Sequence, residues 1–229
     1  MSTMFELVMK RALRQRLLMS ILIVFPLLLI LVPQPGDMET PTFSYGIFGL
    51  VMLFMAFLLA KQLIEDREMK TIVRIAAAPI THRDYLLAHL GAYTLIMSFQ
   101  VTLFWILSFL VWDAPWSFFL SGYAIMLTFA ITATGFALFW HSMFRRYTTS
   151  VSIFSVVANI IAVMGGMSLP LMLLPDHLRR IAVVLPTYWY AYGLEQATEK
   201  TTHMVILSLC ILIGFATIFI SVGSKRRFV

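Results

Sequence analysis

The chain has 229 residues, 60% of them hydrophobic and 12% charged, with a formal net charge of +6. A soluble domain carries about 25% charged residues and no apolar runs near 20 residues long, so the composition excludes one. The apolar residues instead fall in blocks about as long as a helix needs to cross roughly 30 Å of hydrocarbon. Lipid offers the backbone no hydrogen-bond partners, so such blocks form helices, and the alternating pattern of a membrane barrel is absent.

In chain order, residues 1–16 come first, without the small-residue cleavage site of a secretory signal, so the first span is read as retained. Met1, Met4, Phe5, Val8 and Ala12 share one helical face, and Thr3, Glu6, Lys10 and Arg14 the opposite one. Leu7 and Leu13 fall on the polar side. The pattern predicts a helix lying in the membrane interface, its basic residues towards anionic lipid. Six transmembrane spans are predicted over 17–32, 43–60, 85–112, 116–140, 151–174 and 205–222, giving an all-α integral membrane fold in a single domain covering 1–229. Pro26 in the first span and Gly165-Gly166 in the fifth predict a kink or a close helix contact. The one cysteine, Cys210, sits inside the last span and reads as a small core residue.

Orientation follows from Lys and Arg. Fourteen of the 17 basic residues fall before the first span, in 61–84, at Arg145-Arg146, or after the last span. Only Arg179, Arg180 and Lys200 fall on the other side. The richer side is expected to be cytoplasmic, with both termini there. The positive charge is thus a topology signal rather than a nucleic-acid footprint, since no soluble basic domain exists to bind one. Trp112, Trp116 and Trp140 are placed as interfacial anchors.

Two further stretches lie outside the spans. Residues 61–84 begin with the dense charge run Glu65-Asp66-Arg67-Glu68, pass through Thr71, Arg74 and an apolar turn, and stop at Pro79. A short amphipathic helix with an acidic first turn suits docking in a groove of a cytosolic partner. Residues 168–202 hold Pro170, Pro175 and Pro186 yet stay rich in Leu, Val and aromatics. That combination predicts short helical pieces buried against the bundle on the outer side.

The absences also narrow the function. No G-x-x-x-x-G-K-[ST] phosphate loop is present, and no cluster of metal ligands. The histidines are scattered and read as interface or loop residues. Ion-coupled transporters bury charged side chains at membrane depth, and the span interiors here hold essentially none. Gln100 and Asn159 are the strongest polar groups, each expected to hydrogen-bond across a helix interface. Energy for transport would then have to come from a partner.

The run Glu68-Met69-Lys70-Thr71-Ile72-Val73-Arg74-Ile75, Pro79 and Tyr85-Leu86-Leu87-Ala88-His89 resembles the cytoplasmic motif of ABC-2 type permeases, E-x-G-T-x-x-R-L-x-x-x-P followed by Tyr-Leu-Leu-Gly-Lys. Lys70 stands where that family usually has Gly, and Ala88-His89 where Gly-Lys is common. The resemblance continues through Ser142-Met143-Phe144-Arg145-Arg146, Met167-Ser168-Leu169-Pro170, Leu174-Pro175 and Leu185-Pro186-Thr187-Tyr188-Trp189, and so covers nearly the whole chain.

The resemblance implies the permease half of an exporter in the bacterial cell membrane, without a catalytic or ATP site of its own. It implies pairing with a second, identical or similar permease, and one cytosolic ABC ATPase subunit on each protomer, two in all, with ATP and Mg on the ATPase. Residues 61–84 would contact that motor through Glu65, Asp66, Arg67, Glu68, Thr71, Arg74 and Pro79. Phe54, Phe57, Asn159 and Met164 would line the pathway, and Pro170, Pro175, Pro186 and Trp189 would belong to outer re-entrant helices over 168–202. An apolar pathway suits a hydrophobic or amphipathic cargo such as a peptide, an antibiotic or a lipid-like molecule. The alternative is a non-transporting immunity or sensor protein that binds a toxin or lipid and needs no motor. A membrane enzyme acting on lipids would want a catalytic carboxylate or His cluster at one interface, which the sequence lacks.

Overall fold

The structure, a computed structural model, describes residues 2–31, 42–69, 81–112 and 116–225, and every regular element among them is helical. In chain order these are α1 (Ser2–Leu13), α2 (Arg16–Leu31), α3 (Thr42–Ala60), α4 (Gln62–Glu68), α5 (His82–Trp112), α6 (Trp116–Met143), α7 (Tyr147–Met164), a single 3-10 turn (Leu171–Leu173), α8 (Asp176–Ala182), α9 (Pro186–Thr198) and α10 (Thr202–Ser224). Among the described residues five helices are long and apolar enough to cross a bilayer. A sixth span is completed if α1 and α2, which meet at a 73° bend, are counted as one broken unit.

Helix α6 is the axis of the bundle and packs against α3, α5, α9 and α10. Its middle turns present small residues inward, with Ala130, Ala133, Thr134 and Ala137 fully buried, which lets neighbouring backbones come close. Against α10 the approach is tight enough for Thr132 Oγ1 to donate to the Leu212 carbonyl oxygen at 2.9 Å, fixing the register of the two helices. Helix α5, at 31 residues, is about 46 Å long and outreaches the hydrocarbon thickness.

Helix α1 packs along α5. Val8 and Ala12 are buried, Met4 and Phe5 half-buried, and Glu6, Lys10 and Arg14 exposed, as the helical periodicity predicts. Leu7 and Leu13 remain exposed on the polar side.

Three expectations are corrected by the fold. The fifth span ends at Met164 and not at 174, although apolar residues continue beyond it. Gly166 adopts φ +83°, a conformation glycine accepts without a Cβ penalty, and Thr187 Oγ1 donates to the Ile161 carbonyl oxygen at 2.7 Å, a second donor beside the Gly165 N–H. Cys210 is exposed on α10 rather than packed in the core. Gln100 is fully buried but its side-chain amide finds no hydrogen-bond partner among the described residues, and Asn159 bonds within its own helix, Nδ2 to the Ser155 carbonyl oxygen at 2.7 Å.

Beyond Gly166 the chain folds back on the bundle. Pro170 and Pro175 immediately precede the 3-10 turn and α8, and Pro186 is the first residue of α9, positions where a missing N–H costs nothing. Trp189 Nε1 donates to the Val183 carbonyl oxygen at 2.8 Å, joining α9 to the turn that precedes it. Helix α9 packs on α10, α6, α3 and α7. Its buried Tyr190 lies against Phe129 and donates its hydroxyl to the Tyr45 carbonyl oxygen at 2.7 Å. Tyr190→Phe leaves a buried carbonyl without that donor, and should lower stability by about 1–3 kcal/mol in reversible denaturation from mixed micelles.

Candidate functional site

At one end of the bundle α1, α4, the starts of α5 and α7, and the ends of α6 and α10 converge. This basic end is where the charge run 65–68 sits. Helix α4 is almost continuous with α3, since Lys61 between them keeps helical angles (φ −50°, ψ −35°). The charges therefore project from a stiff extension of the second span rather than from a separate amphipathic helix.

Asp66 turns inward, its side chain only 2% exposed. Arg11 Nη1 donates to both of its oxygens, at 2.9 and 3.1 Å, and the Tyr85 hydroxyl donates to Oδ2 at 2.9 Å. One carboxylate thus ties α1, α4 and α5 together. A buried charge is tolerated when it is paired and hydrogen-bonded in this way.

Arg67 and Glu68 serve two facing helix ends. Arg67 Nη1 donates to the Ser142 and His141 carbonyl oxygens, at 3.0 and 3.3 Å, in the last turn of α6. Glu68 Oε1 accepts the backbone N–H of Tyr147, the first residue of α7, at 3.0 Å. Cation at a C-terminus and anion at an N-terminus is the pairing that both helix dipoles favour, and each contact takes up a group the helix leaves unsatisfied. Lys61 pairs with Glu65 at 2.8 Å one turn along and lies 4.9 Å from the centre of the Tyr147 ring.

His141 completes the junction. Its Nε2 lies 2.9 Å from the Phe57 carbonyl oxygen, so that nitrogen carries the proton, and Nδ1 accepts from the Ser150 hydroxyl at 3.3 Å. The ring also lies over Phe57, with centroids 4.4 Å apart, and Phe57 stacks on Phe154 of α7 at 4.0 Å. His141→Leu strands the Ser150 hydroxyl and the Phe57 carbonyl together, and is expected to lower stability by about 1–3 kcal/mol, while His141→Gln retains part of it. Thermal unfolding of the two variants in the same detergent separates the outcomes.

Of the motor-facing candidates, Glu65, Asp66, Arg67 and Glu68 are brought together on α4, while Thr71, Arg74 and Pro79 lie outside the described residues. The pathway candidates separate. Phe57 is buried, Phe54 packs edge-on against Phe154, Met164 is half-buried at the end of α7, and Asn159 is exposed. Two histidines read as interface or loop residues, His89 and His141, prove fully buried: His89 lies inside the predicted third span, packed against Tyr85 and Tyr93, and His141 lies where α6 runs past the predicted end of the fourth span. Among the described residues no three His, Cys, Asp or Glu side chains gather as metal ligands.

Sequence reasoning missed Arg11, Tyr85 and His141. Arg11 did leave a signal, since it follows Val8 by three positions and so lies on the apolar side of α1.

A family model described as ABC-2 family transporter protein matches residues 33–225. The chain belongs to the ABC-2 transporter family. It is a multi-pass permease component of an ABC transporter, and ABC-2 permeases have no catalytic domain of their own, ATP hydrolysis belonging to a partner ATPase. The match begins after α1 and α2, so the Arg11–Asp66 contact joins a segment outside the family match to the first helices within it. A search of curated proteins returns no match.

Proposed function

We propose that this ABC-2 permease is the membrane half of an ATP-driven exporter, carrying a hydrophobic or amphipathic cargo such as a peptide, an antibiotic or a lipid-like molecule. In this reading the basic end and both termini face the cytoplasm of a bacterial cell, two protomers pair, and each docks one ATPase subunit that holds ATP and Mg. The observation that carries it is the anchoring of α4. A stiff extension of the second span is fastened to α1 and α5 through Asp66, to α6 through Arg67 and to α7 through Glu68. A push on this element therefore reaches four other helices at once.

Met69, 75% exposed where α4 ends, offers the ATPase an apolar contact beside Glu65 and Glu68. The pathway would run along the outward face of α7 at the protomer interface, with Asn159 as its polar contact and Phe54 and Met164 beside it. The segment from Pro170 to Trp189 would close its outer end as re-entrant helices.

The test is charge reversal at Glu65 and Glu68 together. The expected result is that co-purification of the cognate ATPase falls about tenfold, corresponding to about 1.4 kcal/mol, with membrane insertion unchanged. Losing the Glu68 cap costs only about 1 kcal/mol, too little to unfold the bundle. Undiminished ATPase capture by the doubly reversed variant would remove α4 from the docking surface.

A further inference from the structure

We infer that the cleft between α1, α2 and α5 is a binding site for an anionic phospholipid, an acyl chain lying in the cleft and the phosphate on Arg14 and Arg16. The 73° bend between α1 and α2 opens a cavity of about 430 Å³, roofed by Met9 and Leu13, with Met19 and Ile23 on one wall and Leu95 and Phe99 on the other. That volume lies within the range of about 300–1,000 Å³ typical of ligand sites. Leu13, Ile23, Leu95 and Phe99 all remain about half-exposed, so the cleft is not filled by the chain's own side chains.

What covers it is set by the charges at the bend. Arg11 is committed to Asp66, but Arg14 and Arg16, both exposed, have no side-chain partner among the described residues. Lys10, one turn before Arg14, is held among the described residues only by a 4.0 Å contact with Glu6 in which both side chains are largely exposed, too weak to neutralise it. The first turn of α2 begins at Arg16 and contains no acidic residue, so its N-terminal dipole is left for an outside anion. An apolar slot beside three cations and a helix N-terminus matches one chain and one phosphate of an anionic lipid. A second copy of this chain would bring the same positive charges against these. A neutral hydrophobic molecule would leave the arginines unanswered.

Such a lipid would act as a wedge under α1, whose polar tether to the bundle, Arg11 to Asp66, lies within one turn of the cleft. The site does not depend on which cargo the permease moves.

The experiment reconstitutes the full-length protein in phosphatidylcholine nanodiscs containing a minority of phosphatidylglycerol. Lipids retained on the protein after gentle extraction are then identified by native mass spectrometry. The expected result is one retained phosphatidylglycerol per protomer, lost several-fold both in the Arg14→Gln/Arg16→Gln double variant and in Leu95→Trp, which fills the cleft. Leu110→Trp, exposed on α5 far from the cleft, should retain it. Equal retention of phosphatidylcholine, or undiminished phosphatidylglycerol in the arginine double variant, would overturn the assignment. The arginines are exposed, so that variant decides the matter even if Leu95→Trp fails to fold.

Discussion

Replacing Arg11 by Met is expected to lower the stability of the folded protein by about 3 kcal/mol. The effect arises at Asp66, which is left as a buried carboxylate with Tyr85 as its one remaining side-chain donor among the described residues. Removing one partner of a buried ion pair costs about 3–5 kcal/mol, and the partial exposure of Arg11 puts this site at the lower end. Adding Asp66→Asn to Arg11→Met removes the stranded charge while keeping an acceptor for the Tyr85 hydroxyl, so the double variant should recover most of the loss. Reversible denaturation from mixed micelles measures both. A loss below about 1 kcal/mol for Arg11→Met, or a double variant whose losses simply add, would mean that the pair is not a buried tether.

The second large effect is expected at Gly46. A Cβ there would overlap the Met167 carbonyl oxygen, a backbone atom that cannot swing away as a side chain can. Gly46→Val should therefore separate the segment that follows α7 from α3, at about 3 kcal/mol, the upper end of ordinary overpacking. Labelling of a cysteine placed at Leu171, which is buried in the folded protein, should then become faster. Gly214→Val is the control, since nothing lies within 4 Å of a Cβ at that position. Equal behaviour of the two variants would show that the Gly46 contact is not what holds the segment in place.

The spans were legible because hydropathy over a helix length is a direct reading of the bilayer constraint. Where the fifth span stops was not. Met167, Leu169, Leu171 and Leu173 continue the apolar run, and what ends the helix is glycine geometry, while Thr187, 26 positions beyond Ile161, holds its last turn against α9. The buried face of α1 was legible from its 3.6-residue period, down to the exposure of Lys10 and Arg14. In α10 nearly every position is apolar, so periodicity gave no sign that Cys210 points outward.

The charged run 65–68 was visible as a cluster, but its division of labour was not. Asp66 turns inward because its partner comes from 55 residues earlier in the chain, and Arg67 finds carbonyls 74 and 75 residues later. No local pattern distinguishes these residues from Glu65, which pairs within its own turn.

The most direct measurement of the central claim is co-expression of the tagged permease with its cognate ABC ATPase, purification in nanodiscs, and assay of ATP hydrolysis. A stable complex holding two ATPase subunits with vanadate-sensitive hydrolysis is the result this account predicts. A permease that purifies alone under the same conditions, with no ATPase bound, would contradict it.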